Sequence, residues 1–290
     1  MNSMFSIIKN AADQGLREQK VHKDDFYDNK GFLVCGKCKE RRQAIMEFAN
    51  PTDNDPKHKT PLKVVTPCRC DKEKEENEKR EVAKAYILKL RKKSYMDEKF
   101  YAATFSSFET DKYNERNLRL CKRYATAFDE MLKKNQGLMF WGGVGTGKTY
   151  AAACIANYLI EQKIPVVMIS TVRILENIEK GKIDKEELFE RMNDATLLIV
   201  DDLGAERNSS YALEKIYNII DTRCGSNMPM IVTTNMTLEE MQSESDIRLA
   251  RIFDRLIEVC HPMQFTGPSR RKKAAWSNFN KMSKLLEEGS

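Results

Sequence analysis

The 290-residue chain predicts an α/β fold: a parallel sheet flanked by helices, preceded by a small cysteine-bearing domain and a helical linker. Three observations predict it. From about Tyr101 short apolar runs alternate with helix-patterned segments, the signature of parallel strands joined by crossover helices. A glycine-rich octapeptide, Gly142 to Thr149, lies between one such run and an alanine-rich helix. Residues 1–70 lack long periodic segments but hold two pairs of cysteines.

Composition narrows the class. At 41% hydrophobic and 32% charged residues, with mean hydropathy −0.59, the chain is too apolar to be wholly disordered and too polar for a membrane protein. No apolar run approaches the roughly 18 residues of a spanning helix. The first residues, MNSMFSIIKN, show no secretory pattern, so a cytoplasmic location without a membrane partner is expected. The net charge of +6 permits an anionic partner without requiring one. In a reducing compartment Cys121, Cys154, Cys224 and Cys260 read as small buried hydrophobes.

The elements follow in order. Between the cysteine pairs runs a turn-rich stretch with Pro51, Pro56 and Pro61. Residues 71–93 contain neither Gly nor Pro and gain apolar residues only late (Val82, Ala83, Tyr86, Ile87, Leu90), so they predict a solvated helical linker. Helices are expected at Leu118–Lys134, Tyr150–Gln162, 172–193 with an interruption near Gly181, Tyr211–Cys224 and Leu249–Leu256. Strands are expected at Gly137–Trp141, Val166–Ile169, Leu197–Val200 and Met230–Thr234. Trp276, Phe279 and Met282 share helical spacing near the end. The resulting domains are 1–70, the linker 71–100, the α/β domain 101–275 and a helical tail 276–290.

Gly142-Gly143-Val144-Gly145-Thr146-Gly147-Lys148-Thr149 is a full G-x-x-x-x-G-K-[ST] match in its strand–helix context. Its glycines let successive N–H groups turn toward phosphate oxygens, with a helix N-terminus behind them. Lys148 is expected on the β- and γ-phosphates of ATP and Thr149 on Mg²⁺. The run Leu197–Val200 ends in Asp201 and Asp202; Asp201 suits Mg²⁺, and Asp202 the attacking water, with Glu206 a weaker candidate for that work. Such a strand end is common in isolation, but following a phosphate loop it reads as catalytic. Asn235, ending the Met230–Thr234 run, can sense the γ-phosphate. Arg248, Arg251 and Arg255, then Arg270 in Gly-Pro-Ser-Arg-Arg, are candidate cations for phosphoryl-transfer charge.

The ordered set GGVGTGKT, LLIVDDLGAE, IVTTN, RIFDRL and GPSRR resembles the AAA+ ATPases of the DnaC/DnaI helicase-loader family, with the IstB-type transposition ATPases as near relatives. The resemblance implies Walker A ligands at Lys148 and Thr149, a Walker B pair at Asp201 and Asp202, sensor 1 at Asn235 and sensor 2 at Arg270. It also implies an arginine finger at Arg251 or Arg255, completing a neighbour's site in a self-associated assembly. It further implies a replicative DNA helicase and single-stranded DNA as partners.

Cys35-Gly-Lys-Cys38 and Cys68-Arg-Cys70 offer four thiolates for a structural Zn²⁺, the second pair departing from the usual two-residue spacer. His58 is the alternative for one ligand, and His22 a more remote one. Loaders of the DnaI type resemble this chain in having a zinc-containing amino-terminal domain that binds the helicase. The expected function is thus an ATP-switched helicase loader. The alternatives are an IstB-like transposition helper acting on duplex DNA with a transposase, and a zinc-bearing nucleic-acid adaptor with a vestigial ATPase; the intact Lys148, Thr149, Asp201 and Asp202 argue against the adaptor.

Overall fold

A computed structural model describes residues 4–49, 59–180, 185–204, 210–244 and 246–287. Contacts divide the chain into two compact units, Met1–Ala85 and Tyr86–Ser290.

The first unit opens with α1 (Met4–Glu18), a helix that the sequence reading did not expect. Its apolar residues Phe5, Ile8, Ala12 and Leu16 fall at helical spacing, and none of them is fully buried. Two small antiparallel pairs follow: β1 (Phe26–Tyr27) with β2 (Leu33–Val34), and β3 (Gln43–Ala49) with β4 (Lys59–Val65). α1 packs on β4. The helix α2 (Arg69–Lys93) starts two residues before the expected linker and runs across the division between the units. On its exposed half, Glu75 pairs with Lys79 at 2.6 Å and Glu76 with Arg80 at 3.7 Å. Such one-turn pairs contribute a few tenths of a kcal/mol each.

The second unit contains α3 (Glu115–Thr126), α4 (Phe128–Lys133), β5 (Gly137–Trp141), α5 (Lys148–Glu161), β6 (Val166–Ser170), α6 (Thr171–Lys180), α7 (Lys185–Asp194) and β7 (Leu197–Leu203). After these come α8 (Ser210–Gly225), β8 (Met230–Thr234), α9 (Leu238–Gln242), α10 (Ile247–Val259), β9 (Cys260–Gln264) and α11 (Arg270–Glu287). The helix expected at Leu118–Lys134 is instead two. Ala127 breaks it at φ −104°, ψ 25°, and the turn carries Phe128 into the core beside Tyr124, ring centroids 6.0 Å apart. The tail helix begins at Arg270, not Trp276. β9 escaped the sequence reading because His261, Pro262 and Gln264 make it polar and half-exposed.

All five strands of the large sheet are parallel, in the order β6-β7-β8-β5-β9. The strand leading into the phosphate loop, β5, is therefore separated from the acidic strand β7 by β8. Each face carries its own core. On one, Cys121, Ala152, Ile155 and Leu159 of α3 and α5 cover β5 and β7. On the other, Ile216, Ile220, Ile252 and Phe253 of α8 and α10 pack against Leu198, Val200 and Val232. Cys121, Cys154 and Cys260 are buried among these apolar groups and Cys224 partly so.

Both sheet edges are covered. Beside β6, Ser94 accepts the Met168 N–H through its carbonyl at 2.7 Å. On β9, Phe265 donates inward to the Trp141 carbonyl at 2.8 Å, so Pro262, three residues earlier, turns its missing N–H outward. The outward Gln264 carbonyl is taken by the Asn117 side chain at 2.7 Å. Among the described residues no helix is long and apolar enough to cross a membrane.

Candidate functional site

Polar side chains converge where β5, β7 and β8 end. The loop leaving β5 turns back sharply. Gly142 has φ +127°, and a Cβ there would meet the Phe265 carbonyl oxygen at 2.3 Å, so only glycine fits. Within the loop, Thr146 is buried and donates to the Gly143 carbonyl at 2.9 Å, while Val144 stands exposed. Gly145 and Gly147 both line the cavity, and Gly147 directly precedes α5.

Lys148, the first residue of α5, is almost fully buried. Its Nζ donates to the carbonyls of Gly142 at 2.6 Å and Gly143 at 2.8 Å, and to Asn235 Oδ1 at 2.8 Å. Burial lowers its pKa, opposed by the charges of Asp202 and Asp201. Beside it, Thr149 Oγ1 donates to Asp201 Oδ1 at 2.9 Å.

The two carboxylates are aimed by a β-bulge. β7 and β8 pair regularly as far as Val200↔Val232, and then Leu203 pairs with Thr234, leaving Asp201 and Asp202 opposite Thr233 alone. Bulges of this kind re-aim side chains next to active sites. Thr233 fixes the geometry: its Oγ1 donates to Asp201 Oδ1 at 2.6 Å and accepts from the Asp202 N–H at 3.0 Å. Asp202 is held at φ +57°, uncommon outside glycine. Burial raises the Asp201 pKa, and the hydrogen bonds from Thr233 and Thr149 oppose that rise. Asn235 Nδ2 lies 3.4 Å from Asp202 Oδ1. Lys148, Thr149, Asp201, Asp202 and Asn235 thus form one connected network.

This network borders a cavity of about 730 Å³ whose walls include Phe108, Gly145, Lys148, Asp202, Asn235 and Arg271. That volume falls within the roughly 300–1,000 Å³ of small-molecule sites. Arg270 also lines the cavity, but its guanidinium is engaged, donating to the Glu109 carbonyl at 2.7 Å and Asp111 Oδ2 at 2.6 Å over the Phe108 ring. Arg271, which the sequence reading named beside Arg270 without giving it a role of its own, is close enough for its charge to bear on both Lys148 and Asp201. Phe108 and Tyr150, edge to face at 5.4 Å, were missed as well; a lone aromatic ahead of the loop gives no motif signal. Thr233 was legible only as one more residue of an apolar strand.

Arg251 and Arg255 are not part of this cavity. Both are exposed on α10, where Arg255 pairs with Asp221 at 3.0 Å and Glu258 at 3.4 Å. Among the described residues Arg251 has no ion-pair partner. Arg248 is tied to Asp246 at 2.6 Å, capping the same helix. Glu206 lies outside the described residues.

The first unit gathers a second constellation. The sulfurs of Cys35, Cys38, Cys68 and Cys70 all lie within 4.8 Å of one another. A tetrahedral Zn–S bond of about 2.3 Å requires sulfurs about 3.8 Å apart, so this donor set fits zinc in number, chemistry and spacing. Both knuckles are braced. Cys35 N–H donates to the Glu40 carbonyl at 2.8 Å. The buried Arg42 reaches Asp25 at 2.5 Å and Asp71 at 3.1 Å; Asp25 accepts the Gly36 N–H, and Asp71 the Cys68 N–H. The hydrogen bond from the Glu40 backbone leads in lowering the Cys38 thiol to about 6, whereas burial lifts Cys68 to about 12. His22 is not in this group, and His58 lies outside the described residues.

Comparison with known proteins agrees with this geometry. The family model described as "IstB-like ATP binding protein" matches residues 70–277. The replicative helicase loader DnaI of Bacillus subtilis (strain 168) is 22% identical over 195 residues, 63% of this chain and 62% of that protein. The replicative helicase loader DnaC of Escherichia coli (strain K12) is 27% identical over 158 residues, 53% of this chain and 62% of that protein. The chain thus spans less than two thirds of the length of these two relatives. A crystal structure of DnaI superposes with TM-score 0.52 at 25% identity, covering 61% of this chain and 94% of that one. The family model covers most of the chain: this protein belongs to the IstB-like ATP-binding family.

Proposed function

We propose that the protein is an ATP-switched loader that grips a ring-shaped replicative DNA helicase and deposits it on single-stranded DNA. The observation that carries the reading is the single network joining the ends of β5, β7 and β8 at one cavity. In it Lys148 would hold the β- and γ-phosphates, and Thr149 with Asp201 would hold Mg²⁺, which neutralises developing charge on the transferred group. Asp202 would orient the attacking water, and Asn235, bonded to both Lys148 and Asp202, would report whether the γ-phosphate is present. Of the paired arginines Arg271 is the freer to answer to that phosphate, since Arg270 is already engaged by Asp111.

Cys35, Cys38, Cys68 and Cys70 would hold a structural Zn²⁺ that folds the first unit as a helicase-docking module. Four protein ligands leave no open position for catalysis. Arg251 and Arg255 stand on the surface, away from their own cavity, which suits a finger supplied to a neighbouring copy in a self-associated assembly. The names of the DnaI and DnaC relatives favour a loader, acting in the cytoplasm, over a transposition helper.

The test is co-purification of the full chain with its host's replicative helicase, with zinc measured in the same preparation. A complex whose stability changes between ATP and ADP is expected. Binding to a transposase on duplex DNA, and to no helicase, would replace this reading with the transposition-helper one.

A further inference from the structure

The surface of the second unit carries a cationic stripe that the nucleotide site does not use. On α3 the inward face is Asn117, Cys121, Tyr124 and Ala125, all buried. The outward face carries Arg116, Arg119 and Arg123, all exposed. At 100° per residue these three guanidinium groups fall within an arc of about 60°, and at 1.5 Å per residue they span about 10 Å of helix. Lys112 and Lys122 extend the stripe, and Glu115 is the one acid within the helix. Among the described residues none of the five cations has an ion-pair partner.

An aromatic stands at the head of the stripe. Tyr113 is 44% exposed, with Lys112 over its ring at 5.1 Å. A row of unpaired arginines beside an accessible ring is the combination that binds a single nucleic-acid strand, phosphates to the cations and a base to the ring face. The segment ahead of α3 is tied to a residue that lines the nucleotide cavity. Asp111, just ahead of α3, holds Arg270, and a Cβ on Gly267 would touch the Tyr113 ring at 2.9 Å.

We propose that single-stranded DNA binds along the outward face of α3, its phosphates on Arg116, Arg119 and Arg123 and a base on Tyr113. The assignment rests on the loader reading and names the surface through which that function would touch DNA.

The experiment measures binding of fluorescein-labelled oligo(dT) to the full chain by anisotropy over a range of salt. It compares the wild type with Arg116→Gln/Arg119→Gln/Arg123→Gln, with Arg119→Glu alone and with Tyr113→Ala. Binding of a fluorescent ATP analogue and of the helicase is measured on each. The triple variant is expected to keep both of those activities and to lose tenfold or more in oligo(dT) affinity. Its log–log salt slope should fall by about two, because each single-strand phosphate contact contributes about 0.7. Tyr113→Ala should weaken binding with the slope unchanged. Should the triple variant fail to bind nucleotide, Arg119→Glu alone decides, since reversing one charge in the middle of the stripe must still weaken oligo(dT) binding. Unchanged oligo(dT) affinity in the variants overturns the assignment. So does a loss confined to duplex DNA, or a loss of helicase binding in place of DNA binding. A wild type that binds the helicase but no oligo(dT) sinks this surface and leaves helicase recognition standing; one that binds oligo(dT) through α3 but no helicase does the reverse.

Discussion

Asp202 occupies a left-handed backbone conformation at φ +57°, in a bulge pinned by Thr233. Asparagine tolerates that region better than alanine does, so Asp202→Asn should keep the backbone and remove only the carboxylate. The expected result is nucleotide binding retained and turnover lost, read by analogue binding and phosphate release on one preparation. Lys148→Ala, by contrast, should abolish binding itself, since it deletes the cation that the loop carbonyls and Asn235 converge on. Normal hydrolysis by the Asp202 variant would remove that residue from the water-orienting role. Arg223 makes a different kind of prediction. It is fully buried, and its guanidinium donates to the carbonyls of Asn193 at 2.8 Å, Ala195 at 2.6 Å and Pro229 at 3.1 Å, tying the end of α7 to the starts of β7 and β8. Burial pulls its pKa down to about 10, which leaves it charged at neutral pH. Arg223→Met strands these acceptors and should cost about 3–5 kcal/mol, a fall in Tm on the order of 10 °C, by calorimetry. Nothing in the sequence marks this arginine, because its partners are backbone atoms from three segments.

At the scale of elements, legibility followed burial. β5, β6, β7 and β8 are continuous apolar runs that stand out in the sequence. The polar edge strand β9 does not, since it presents no clean period to read; α1 was passed over although Phe5, Ile8, Ala12 and Leu16 recur at helical spacing. The site followed the same logic. Residues belonging to a motif, Lys148 and Asp201, were visible, whereas Phe108 and Tyr150 reach the cavity only through the fold. The cysteine knuckles were legible as pairs, but their brace, Arg42 between Asp25 and Asp71, was not. Among its described residues, the buried apolar side chains of the first unit are Leu33, Val34, Cys35 and Cys68, and such small cores depend on a staple. Removing metal with a strong chelator, or Cys35→Ser, should therefore unfold the first unit and leave ATP binding by the second. Hydrogen exchange would show lost protection in 4–65 with α5 and β7 unchanged. Full protection without bound metal would show that the knuckles fold unaided.

For the whole molecule, the exposure of Arg251 and Arg255 on α10 makes assembly the natural complement of the site. If either is a finger acting in trans, Arg251→Ala or Arg255→Ala should be inactive alone. Mixing the responsible variant with Lys148→Ala should restore part of the hydrolysis, because one copy then brings an intact pocket and its neighbour an intact finger. No recovery in any mixture would return that work to a residue within the same copy. An assembly of the proposed kind would also have to avoid gathering wrongly. Here the Ser94 carbonyl takes the Met168 N–H on one sheet margin, and Pro262 and Asn117 blunt the other, where another molecule could otherwise hydrogen-bond. In the proposed assembly, copies would then meet chiefly through side chains, contacts weak enough for a bound nucleotide to make or dissolve, with ribbon-like extension of the sheet disfavoured.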